Sequence, residues 1–499
     1  MAHISLVTFY DTMCMGIRYL SSFLKEHGHT VDLIFFKEYS SRQVPEDANA
    51  VQKIYKPGSI YASVYDVNPP SDEEFRHLKD LLLELAPDAV GISTRSFGLP
   101  LAKSLAERVL STLPRTLTLA GGYGPTLQPE EFAKYYDIVC FGEGEQLILD
   151  IAQCINAGQG QADIRRLNNA FYLDKAGTLV TNAVSNPLCD LDELPVPDWS
   201  GQGHYLIDND TVTTEGIVFD DWLDVFITRG CFSSCSYCMS GQWSAIYHKY
   251  LDGKFPKVRT RSPERVIQEI ADAASHRNLK KIRFMDSIFP ISKPFLRQLL
   301  SLYKKEVGIP FFCNIFPGAH DAESLHMLMD AGMTETVLGL QSGSEYIRKE
   351  IFNRNVSGQS LIETAQTLEE GGVHVKYDLI GFNPFDTPAT SLETFNFVTK
   401  LPSNIPMSVF QLVFFPGSPL YARYSQDKPQ GMPEAHHRMW TYAWHLAARG
   451  GDDRAFAENI VRENPEKPSQ KAIEALREGF FTLTGVDWNA SGTTRHQEG

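Results

Sequence analysis

The first 185 residues alternate short apolar runs with amphipathic stretches. Ile4–Tyr10 has the character of a buried strand, and the stretch from Gly16 to His27 places its apolar residues on one helical stripe. Further strands are predicted at 31–36, 89–93, 115–120 and 138–141, and further helices at 72–85, 99–113 and 145–157. This alternation predicts an α/β fold with a doubly wound parallel sheet, whose ligands bind outside the carboxyl ends of the strands.

The alternation resumes between about residues 223 and 420. Six strands are predicted at 224–229, 281–285, 310–316, 335–340, 374–380 and 408–414, with helical patterns between them. Ser262 and Pro263 form a typical helix start, with an N-cap and a proline at the first helical position. Six consecutive strand–helix units predict a partial (β/α)₆ barrel, and such barrels place their chemistry at the carboxyl ends of the strands.

The remaining segments show weaker patterns. Residues 170–181 are predicted to form a hairpin, 190–198 are punctuated by prolines, and 201–222 show no periodic pattern. A polar connection at 39–71 is expected to be an excursion or a lid, and the tail after Trp488 is expected to be disordered. We therefore predict a sheet domain at 1–185, a linker at 186–222, the barrel at 223–420 and a small helical C-terminal region at 421–499.

Composition narrows the class of protein. A chain of 499 residues with 43% hydrophobic and 21% charged residues has ample core for two or three globular domains. Its net charge of −15 argues against a nucleic-acid partner, because phosphate binding needs clustered Lys and Arg. The N-terminus lacks the regions of a signal peptide, and no apolar run approaches the roughly 20 residues that span a bilayer. We expect a cytoplasmic protein with no transmembrane segment.

Three of the eight cysteines follow the first barrel strand with the spacing C-x₃-C-x₂-C, at Cys231, Cys235 and Cys238. Short local runs of cysteine are typical ligands of iron–sulfur clusters. Three ligands for a [4Fe–4S] cluster leave one iron open to a non-protein molecule, which favours chemistry over plain electron transfer. A zinc site is the alternative, for which His248 would be the fourth ligand.

The cysteine spacing, with Tyr237 before the last cysteine, resembles the cluster motif of the radical S-adenosylmethionine (SAM) superfamily. The resemblance implies that the open iron binds SAM, and it extends to the ends of several strands. Asp286 ends strand two, where it is either a SAM or substrate contact or a helix N-cap. The other residues that the resemblance implies for SAM are Tyr237 in the cysteine motif, Gln341, Ser342, Ser344 and Glu345 after strand four, and Ile380 and Gly381 at strand five.

The strand-five segment departs from the family pattern. It has one extra residue before Pro384 and an aspartate, Asp386, where the family has glutamate. Asn353-Arg354-Asn355 stands where the family commonly has an arginine.

Glycine-rich turns in the first domain resemble the cobalamin-binding domain that precedes many radical SAM domains. The resemblance implies a Rossmann-like sheet whose strand ends hold a corrinoid. The contacts that it implies are Gly121, Gly122, Tyr123, Thr126, Gly142 and Glu143, with Ser93 at the end of the third strand. Alternatively, the glycines simply make turns between strands and helices.

Met13 stands where some cobalamin domains carry the histidine that binds cobalt from below. Asp11 and Gly16 keep the spacing of that motif. A thioether is a poor substitute for imidazole, so we expect no histidine beneath the cobalt.

The two resemblances together imply a cobalamin-dependent radical SAM enzyme with a [4Fe–4S] cluster, SAM and methylcobalamin as cofactors. The implied reaction is methylation of an unactivated carbon of a small molecule, or of a peptide, with an external electron donor such as flavodoxin or ferredoxin. One alternative is a member of the same group that oxidises, cyclises or rearranges its substrate without methylating it. A methylthiotransferase and a non-enzymatic cobalamin sensor are further alternatives, and both fit the sequence less well.

Overall fold

The computed structural model describes residues 1–38, 69–95, 98–215, 217, 221–251, 255–463, 465–466 and 468–484. Most of the predicted excursion at 39–71 and the tail after Trp488 lie outside the described residues. The described chain forms two compact units. The first contains the described residues up to Asp224 together with 243–278, and the second contains Val225–Gln242 and the described residues from Leu279 onward.

The first unit is built on a nine-stranded sheet with the order β7-β6-β5-β4-β3-β1-β2-β8-β9. Its strands are β1 His3–Phe9, β2 Thr30–Phe36, β3 Ala89–Ser93, β4 Leu117–Gly121, β5 Ile138–Cys140, β6 Ala170–Leu173, β7 Leu179–Thr181, β8 His204–Asp208 and β9 Thr211–Thr213. Its helices are α1 Met15–Glu26, α2 Asp72–Leu85, α3 Leu99–Arg108, α4 Tyr123–Leu127, α5 Pro129–Phe132, α6 Glu145–Asn156 and α7 Gln161–Ile164, with single 3₁₀ turns at Leu110–Thr112 and Leu191–Glu193.

Strands β1 to β5 and β8 pair in parallel, which confirms the predicted doubly wound sheet. The predicted hairpin at 170–181 is also present, as antiparallel β6 and β7. Strands β8 and β9 fall within 201–222, where the sequence showed no pattern. Asn209 and Asp210 join them with positive φ angles of 51° and 56°, a conformation that Asn and Asp tolerate in tight hairpin turns.

The middle of the chain contains β10 Trp222–Val225, β11 Thr228–Gly230, α8 Met239–Tyr247, β12 Val258–Thr260 and α9 Pro263–His276. Helix α9 begins as predicted, because the Ser262 hydroxyl accepts a hydrogen bond from the Arg265 amide at 3.2 Å. The single strand that was predicted at 224–229 is interrupted between β10 and β11.

The second unit contains the remaining barrel elements, β13 Lys281–Phe284, α10 Lys293–Glu306, β14 Phe311–Ile315, α11 Ala322–Asp330, β15 Met333–Gln341, a π-helical turn Ile347–Ile351, α12 Gly358–Glu370, β16 His374–Gly381, α13 Pro388–Val398 and β17 Met407–Gln411. The barrel sheet has the strand order β10-β13-β14-β15-β16-β17. Neighbouring strands from β13 to β17 pair in parallel. Sequential parallel strands with a helix between each pair confirm the predicted partial (β/α)₆ barrel.

Four helices complete the second unit: α14 Pro419–Asp427, α15 Glu434–Arg449, α16 Gly451–Glu463 and α17 Gln470–Thr484. Helix α15 is almost wholly buried, and Trp440 within it is fully enclosed. This confirms the predicted helical C-terminal region. Among the described helices, none combines the length and the apolar character that a membrane crossing requires.

Candidate functional site

The cysteine loop follows β11 directly and encloses one side of a cavity of about 240 Å³. Cys231 and Cys235 are buried and Cys238 is half-buried, and all three line the cavity. Gly241 permits this turn, since a side chain there would lie 2.3 Å from the Ser233 carbonyl oxygen. The other walls come from the carboxyl ends of the barrel strands and the loops after them, including Ser287, Asn314, Phe316, Gln341, Arg354 and Asp378.

Burial and a nearby guanidinium act in opposite directions on the charge of the thiols. Burial, together with the neighbouring thiols, raises the pKa of Cys231 to about 11, and the Ser233 amide and Arg354 act in the opposite direction. The Arg354 guanidinium lies 3.9 Å from the Cys235 sulfur, and the Ser233 hydroxyl lies 3.1 Å from it. Thiolates in such a setting are stabilised when they bind a metal centre.

A multi-iron cluster fits this geometry better than a single zinc ion. The three thiols stand around open space, and no three His, Cys, Asp or Glu side chains in the described part of the chain are close enough together to hold one metal ion. His248, the fourth ligand in the zinc alternative, has its Nε2 atom 3.0 Å from the Phe255 carbonyl oxygen. The donor set and the cavity therefore fit a [4Fe–4S] cluster held by Cys231, Cys235 and Cys238.

Asp286 supports the segment that leads into β11, and it does not cap the following helix, whose N-cap is Ser292. Its buried carboxylate accepts hydrogen bonds from the amide and hydroxyl of Thr228, both at 2.6 Å, and from the Ile227 amide at 3.2 Å. These bonds hold the chain where β10 gives way to β11. Burial raises the pKa of Asp286 to about 6, and the hydrogen bonds act in the opposite direction.

The segment after β15 divides between the cavity and the protein interior. Gln341, at a positive φ of 62°, lines the cavity. Ser342 and Ser344 are buried against α13, where their hydroxyls meet the side chains of Thr394 and Glu393. The fourth residue predicted here, Glu345, is exposed and forms an ion pair with Lys349.

Strand β16 ends in residues that pack against protein. Ile380 belongs to an apolar cluster with Phe352 and Leu412, beside which Tyr237 packs. A side chain at Gly381 would lie 2.6 Å from a Val409 methyl group, so the barrel itself requires glycine there. Tyr237 lines the cavity, and its ring meets Phe352 edge-on with centroids 5.0 Å apart. Of the eight residues predicted for SAM, Gln341 and Tyr237 thus line the cavity.

Sequence reasoning missed several cavity residues. The sequence placed Arg354 only where the family commonly has an arginine, and it did not predict Asp378 and Asn314 as site residues. Asp378 lies in β16, where burial raises its pKa to about 6 and Lys376, 3.4 Å away, acts in the opposite direction. A polar residue at every second position of a barrel strand, as in Lys376 and Asp378, is a signal that could have found it, because inward positions alternate.

In the first unit, the predicted glycine turns lie at the carboxyl ends of β4 and β5. Gly122 has a φ of 98°, and a side chain there would lie 2.7 Å from the Thr94 carbonyl oxygen and 3.4 Å from the Ser93 hydroxyl. At Gly121 a side chain would have only ordinary contacts, the nearest at 3.7 Å. Packing within the protein thus requires glycine at 122 but not at 121, which leaves the backbone at Gly121 open to a close ligand.

Thr126 connects the two turns. Its hydroxyl donates to the Gly122 carbonyl oxygen at 2.9 Å and accepts from the Gly142 amide at 3.1 Å. Tyr123, two residues after Gly121, is 40% exposed, and its ring lies 4.6 Å from that of Trp243. An exposed aromatic ring and an uncrowded glycine at the strand ends fit a large, flat ligand such as a corrinoid.

The second turn is surrounded by protein side chains. Gly142 has a φ of 83°, and a side chain there would overlap the Tyr247 hydroxyl. The same hydroxyl accepts a hydrogen bond from the Glu143 amide at 2.7 Å, and the Glu143 carboxylate pairs with Arg259. Near β1, the Met13 amide donates to the Asp11 carboxylate at 3.1 Å.

Comparisons with known proteins find a family for each of the two regions. The family model of the Radical SAM superfamily matches residues 225–398, and that of the B12 binding domain matches residues 4–152. The computed structure resembles the cobalamin-dependent SAM radical enzyme OxsB with aqua-cobalamin bound, with a TM-score of 0.66, 14% identity, and coverage of 97% of this chain and 80% of that one. It also resembles the radical SAM methyltransferase TsrM from Kitasatospora setae with cobalamin and a [4Fe–4S] cluster bound. The TM-score is 0.60 and the identity 14%, and the match covers 86% of this chain and 78% of that one.

Among curated proteins, the chain is 24% identical over 357 residues to an uncharacterized methyltransferase from Pyrococcus horikoshii, which covers 70% of this chain and 72% of that protein. It is 22% identical over 345 residues to a bacteriochlorophyllide d C-8(2)-methyltransferase from Chlorobaculum tepidum, with coverage of 68% and 69%. It is 23% identical over 328 residues to an anaerobic magnesium-protoporphyrin IX monomethyl ester cyclase from Rubrivivax gelatinosus, with coverage of 64% and 55%. The chain thus spans about half the length of that cyclase.

The B12-binding and radical SAM domains occur in this order along one chain, and their cofactors are cobalamin, SAM and a [4Fe–4S] cluster. The chain therefore contains a B12 binding domain followed by a radical SAM domain, the domain order of the cobalamin-dependent radical SAM enzymes that it resembles.

Proposed function

We propose that this enzyme transfers a methyl group to an unactivated carbon of a small molecule. The observation that carries the proposal is the cavity in which three thiols face Arg354, Gln341 and Asp378, in a chain that also contains a B12-binding domain. Two of the relatives at 22–24% identity are named methyltransferases, and they match about 70% of their own length.

When bound, the cluster and SAM supply a carbon-centred radical that abstracts hydrogen, and methylcobalamin supplies the methyl group. The chain's own residues hold and orient these groups. Cys231, Cys235 and Cys238 would bind the cluster. Gln341 and Arg354 line the space beside it, where an amide and a guanidinium would bind the carboxylate and hydroxyl groups of SAM. Tyr237 and Phe316 provide apolar walls that exclude water.

A reaction without methyl transfer is the second candidate, because one relative is named as a cyclase. The relatives' names also indicate the first substrates to test, a magnesium porphyrin monomethyl ester and a bacteriochlorophyllide. A methylating turnover would need two electrons from flavodoxin or ferredoxin, one for the reductive cleavage of SAM and one for the reduction of cobalt before a second SAM remethylates it. With SAM carrying a deuterated methyl group, methylation gives a product heavier by that group, whereas cyclisation or oxidation gives a product without the label.

The experiment that tests the cofactor sites is anaerobic reconstitution with iron, sulfide and hydroxocobalamin, followed by desalting and metal analysis. Four irons and one cobalt per chain are expected. The variant Cys231→Ala, Cys235→Ala, Cys238→Ala is expected to lose iron and keep cobalt, while Cys189→Ala, at an exposed cysteine, serves as the matched control. Four irons without cobalt would overturn the methylcobalamin mechanism.

A further inference from the structure

Two side chains from the stretch 243–261 lock the turn Gly142-Glu143. Tyr247 is fully buried, and its hydroxyl accepts from the Glu143 amide at 2.7 Å. The Tyr247 ring occupies the space that any side chain at 142 would need. Packing by Trp243, Phe255 and Phe141 fixes the ring in place, with centroids between 4.8 and 6.0 Å away. The turn therefore has one shape as long as Tyr247 stays where it is.

Arg259 holds the same turn through its carboxylate. One guanidinium nitrogen donates to the Glu143 carboxylate at 3.1 Å and also to the Leu188 carbonyl oxygen, and the other nitrogen pairs with the second carboxylate oxygen. Both side chains of this bidentate pair are buried, at 3% and 10% exposure. Removing one partner of such a pair leaves a buried, uncompensated charge.

The turn is also connected to the other glycine turn. The Gly142 amide donates to the Thr126 hydroxyl, which donates in turn to the Gly122 carbonyl oxygen. A displacement of Gly142 would therefore be transmitted through Thr126 to the backbone beside Gly121, where the structure leaves room for a ligand. With its carboxylate paired to Arg259, Glu143 acts on that ligand through the shape of the turn.

From these contacts we infer that Tyr247 and Arg259 are positioning residues for cobalamin, which hold the Gly142-Glu143 turn in the shape that binds it. We call this pair of residues the turn clamp. The inference rests on the cobalamin contacts assigned to the glycine turns. It gives residues 243–261, which follow the cysteine loop in sequence, a role in the B12-binding domain.

The test measures the dissociation constant of hydroxocobalamin, by its visible absorbance, for the full-length protein and four variants. Tyr247→Phe keeps the ring and loses the acceptor, so we expect about fivefold weaker binding, the typical effect of one lost hydrogen bond. Arg259→Gln and Glu143→Gln are each expected to weaken binding by about tenfold or more. The double variant Arg259→Gln, Glu143→Gln should be no weaker than either single variant, because the two residues act as one unit.

The controls separate positioning from general stability. Tyr250→Phe is the matched control, because the Tyr250 ring also contacts Phe141, at 4.7 Å, but Tyr250 is 45% exposed. It is expected to bind cobalamin like the wild type. Thermal unfolding and iron content are measured for every variant, and a variant that binds cobalamin less well while keeping both values supports the clamp.

Three results would count against the inference. Wild-type binding by both Tyr247→Phe and Arg259→Gln would overturn the clamp and leave the cobalamin site intact. A Glu143→Gln variant much weaker than Arg259→Gln, with additive effects in the double variant, would show that Glu143 contacts cobalamin directly. A wild-type protein that binds no cobalamin would overturn the proposed function as well, so the two failures are distinguishable.

Discussion

The two candidate cofactor sites differ in what fills the space next to the backbone. At the cysteine loop, the side chains line an open cavity of about 240 Å³. At the glycine turns, the protein itself fills that space beside Gly122 and Gly142, with the Thr94 carbonyl group and the Tyr247 ring. Thiols that line one cavity are therefore direct evidence for a ligand. A glycine-rich turn is weaker evidence, because packing within the protein can by itself require the glycine. Gly121 is the glycine of these turns for which the described neighbours give no packing reason.

The largest expected effect concerns Asp386, a buried aspartate in the segment between β16 and α13. Burial raises its pKa from an ordinary 3.8 to about 7, although Thr390 and Asn383 act in the opposite direction. The folded state holds this proton more tightly than the unfolded state does. The stability of the fold with a protonated Asp386 carboxyl is therefore fully present below pH 4 and is lost as the pH rises to 7. The loss amounts to about 4 kcal/mol of unfolding free energy.

Chemical denaturation of wild-type protein and Asp386→Asn between pH 4 and pH 8 checks this. The difference between the two should grow in favour of the variant as the pH rises, since an amide at this position has no acidic proton to lose. A constant difference across the range would show that the Asp386 carboxyl titrates normally. Asp321→Asn, at an exposed carboxylate whose pKa Lys293 lowers, is the control for surface charge.

The next effect separates two neighbouring glycines of the first unit. Gly142→Ala combines a left-handed backbone with an overlap against Tyr247, so it should lower the unfolding free energy by about 3 kcal/mol. Gly121→Ala should change it by less than about 0.5 kcal/mol, because its new methyl group has ordinary contacts. Urea denaturation of each variant without cofactors measures these changes in unfolding free energy.

Cobalamin binding by Gly121→Ala sharpens the comparison. If a corrinoid approaches the backbone at this point, the added methyl group should weaken binding by about tenfold while the fold stays intact. Wild-type affinity would place the ligand elsewhere and leave Gly121 as an ordinary turn glycine.

Two aspartates of the second unit with the same raised pKa, about 6, should respond differently to the same substitution. Asp286→Asn loses part of the set of bonds to Ile227 and Thr228, so it should cost about 2 kcal/mol and reduce the iron retained after reconstitution. Asp378 faces the cavity, so Asp378→Asn should leave the iron content unchanged, and it should leave stability unchanged at pH 5, where the Asp378 carboxyl is still protonated. Equal losses from both would mean that burial alone, rather than the bonds to Ile227 and Thr228, determines the outcome.

The smallest effect concerns Arg354. Its guanidinium donates to the Gly339 carbonyl oxygen at 2.9 Å, approaches the Cys235 sulfur and stacks on the Phe316 ring 4.5 Å away. A lysine cannot make these three contacts together, so Arg354→Lys should weaken SAM binding by about tenfold and retain iron. Isothermal titration calorimetry of the reconstituted protein with SAM measures this affinity. Glu345→Gln should bind SAM normally, because Glu345 is exposed and paired with Lys349; a comparable loss there would restore it as a SAM contact.

The hydrophobic pattern was enough to predict the doubly wound sheet, the six barrel strands and the start of α9, because periodicity and capping are local properties of the chain. It missed β8 and β9, although Asn209-Asp210 between two short apolar runs is a recognisable hairpin signal. The cysteine spacing located the cluster loop for the same reason, since its three residues lie within eight positions of one another.

The roles of individual polar residues depended on the tertiary structure. Ser342 and Ser344 share a motif with Gln341, yet they face α13 while Gln341 faces the cavity. Asp286 bonds to a loop 58 residues away in sequence, and Tyr247 lies against a turn 104 residues away. Contacts over such distances leave no periodic trace in the sequence, because they depend on how separate elements pack. The sequence therefore determined which elements form and where the three cysteines come together, and the folded structure decided which side chains line the cavity and which support it.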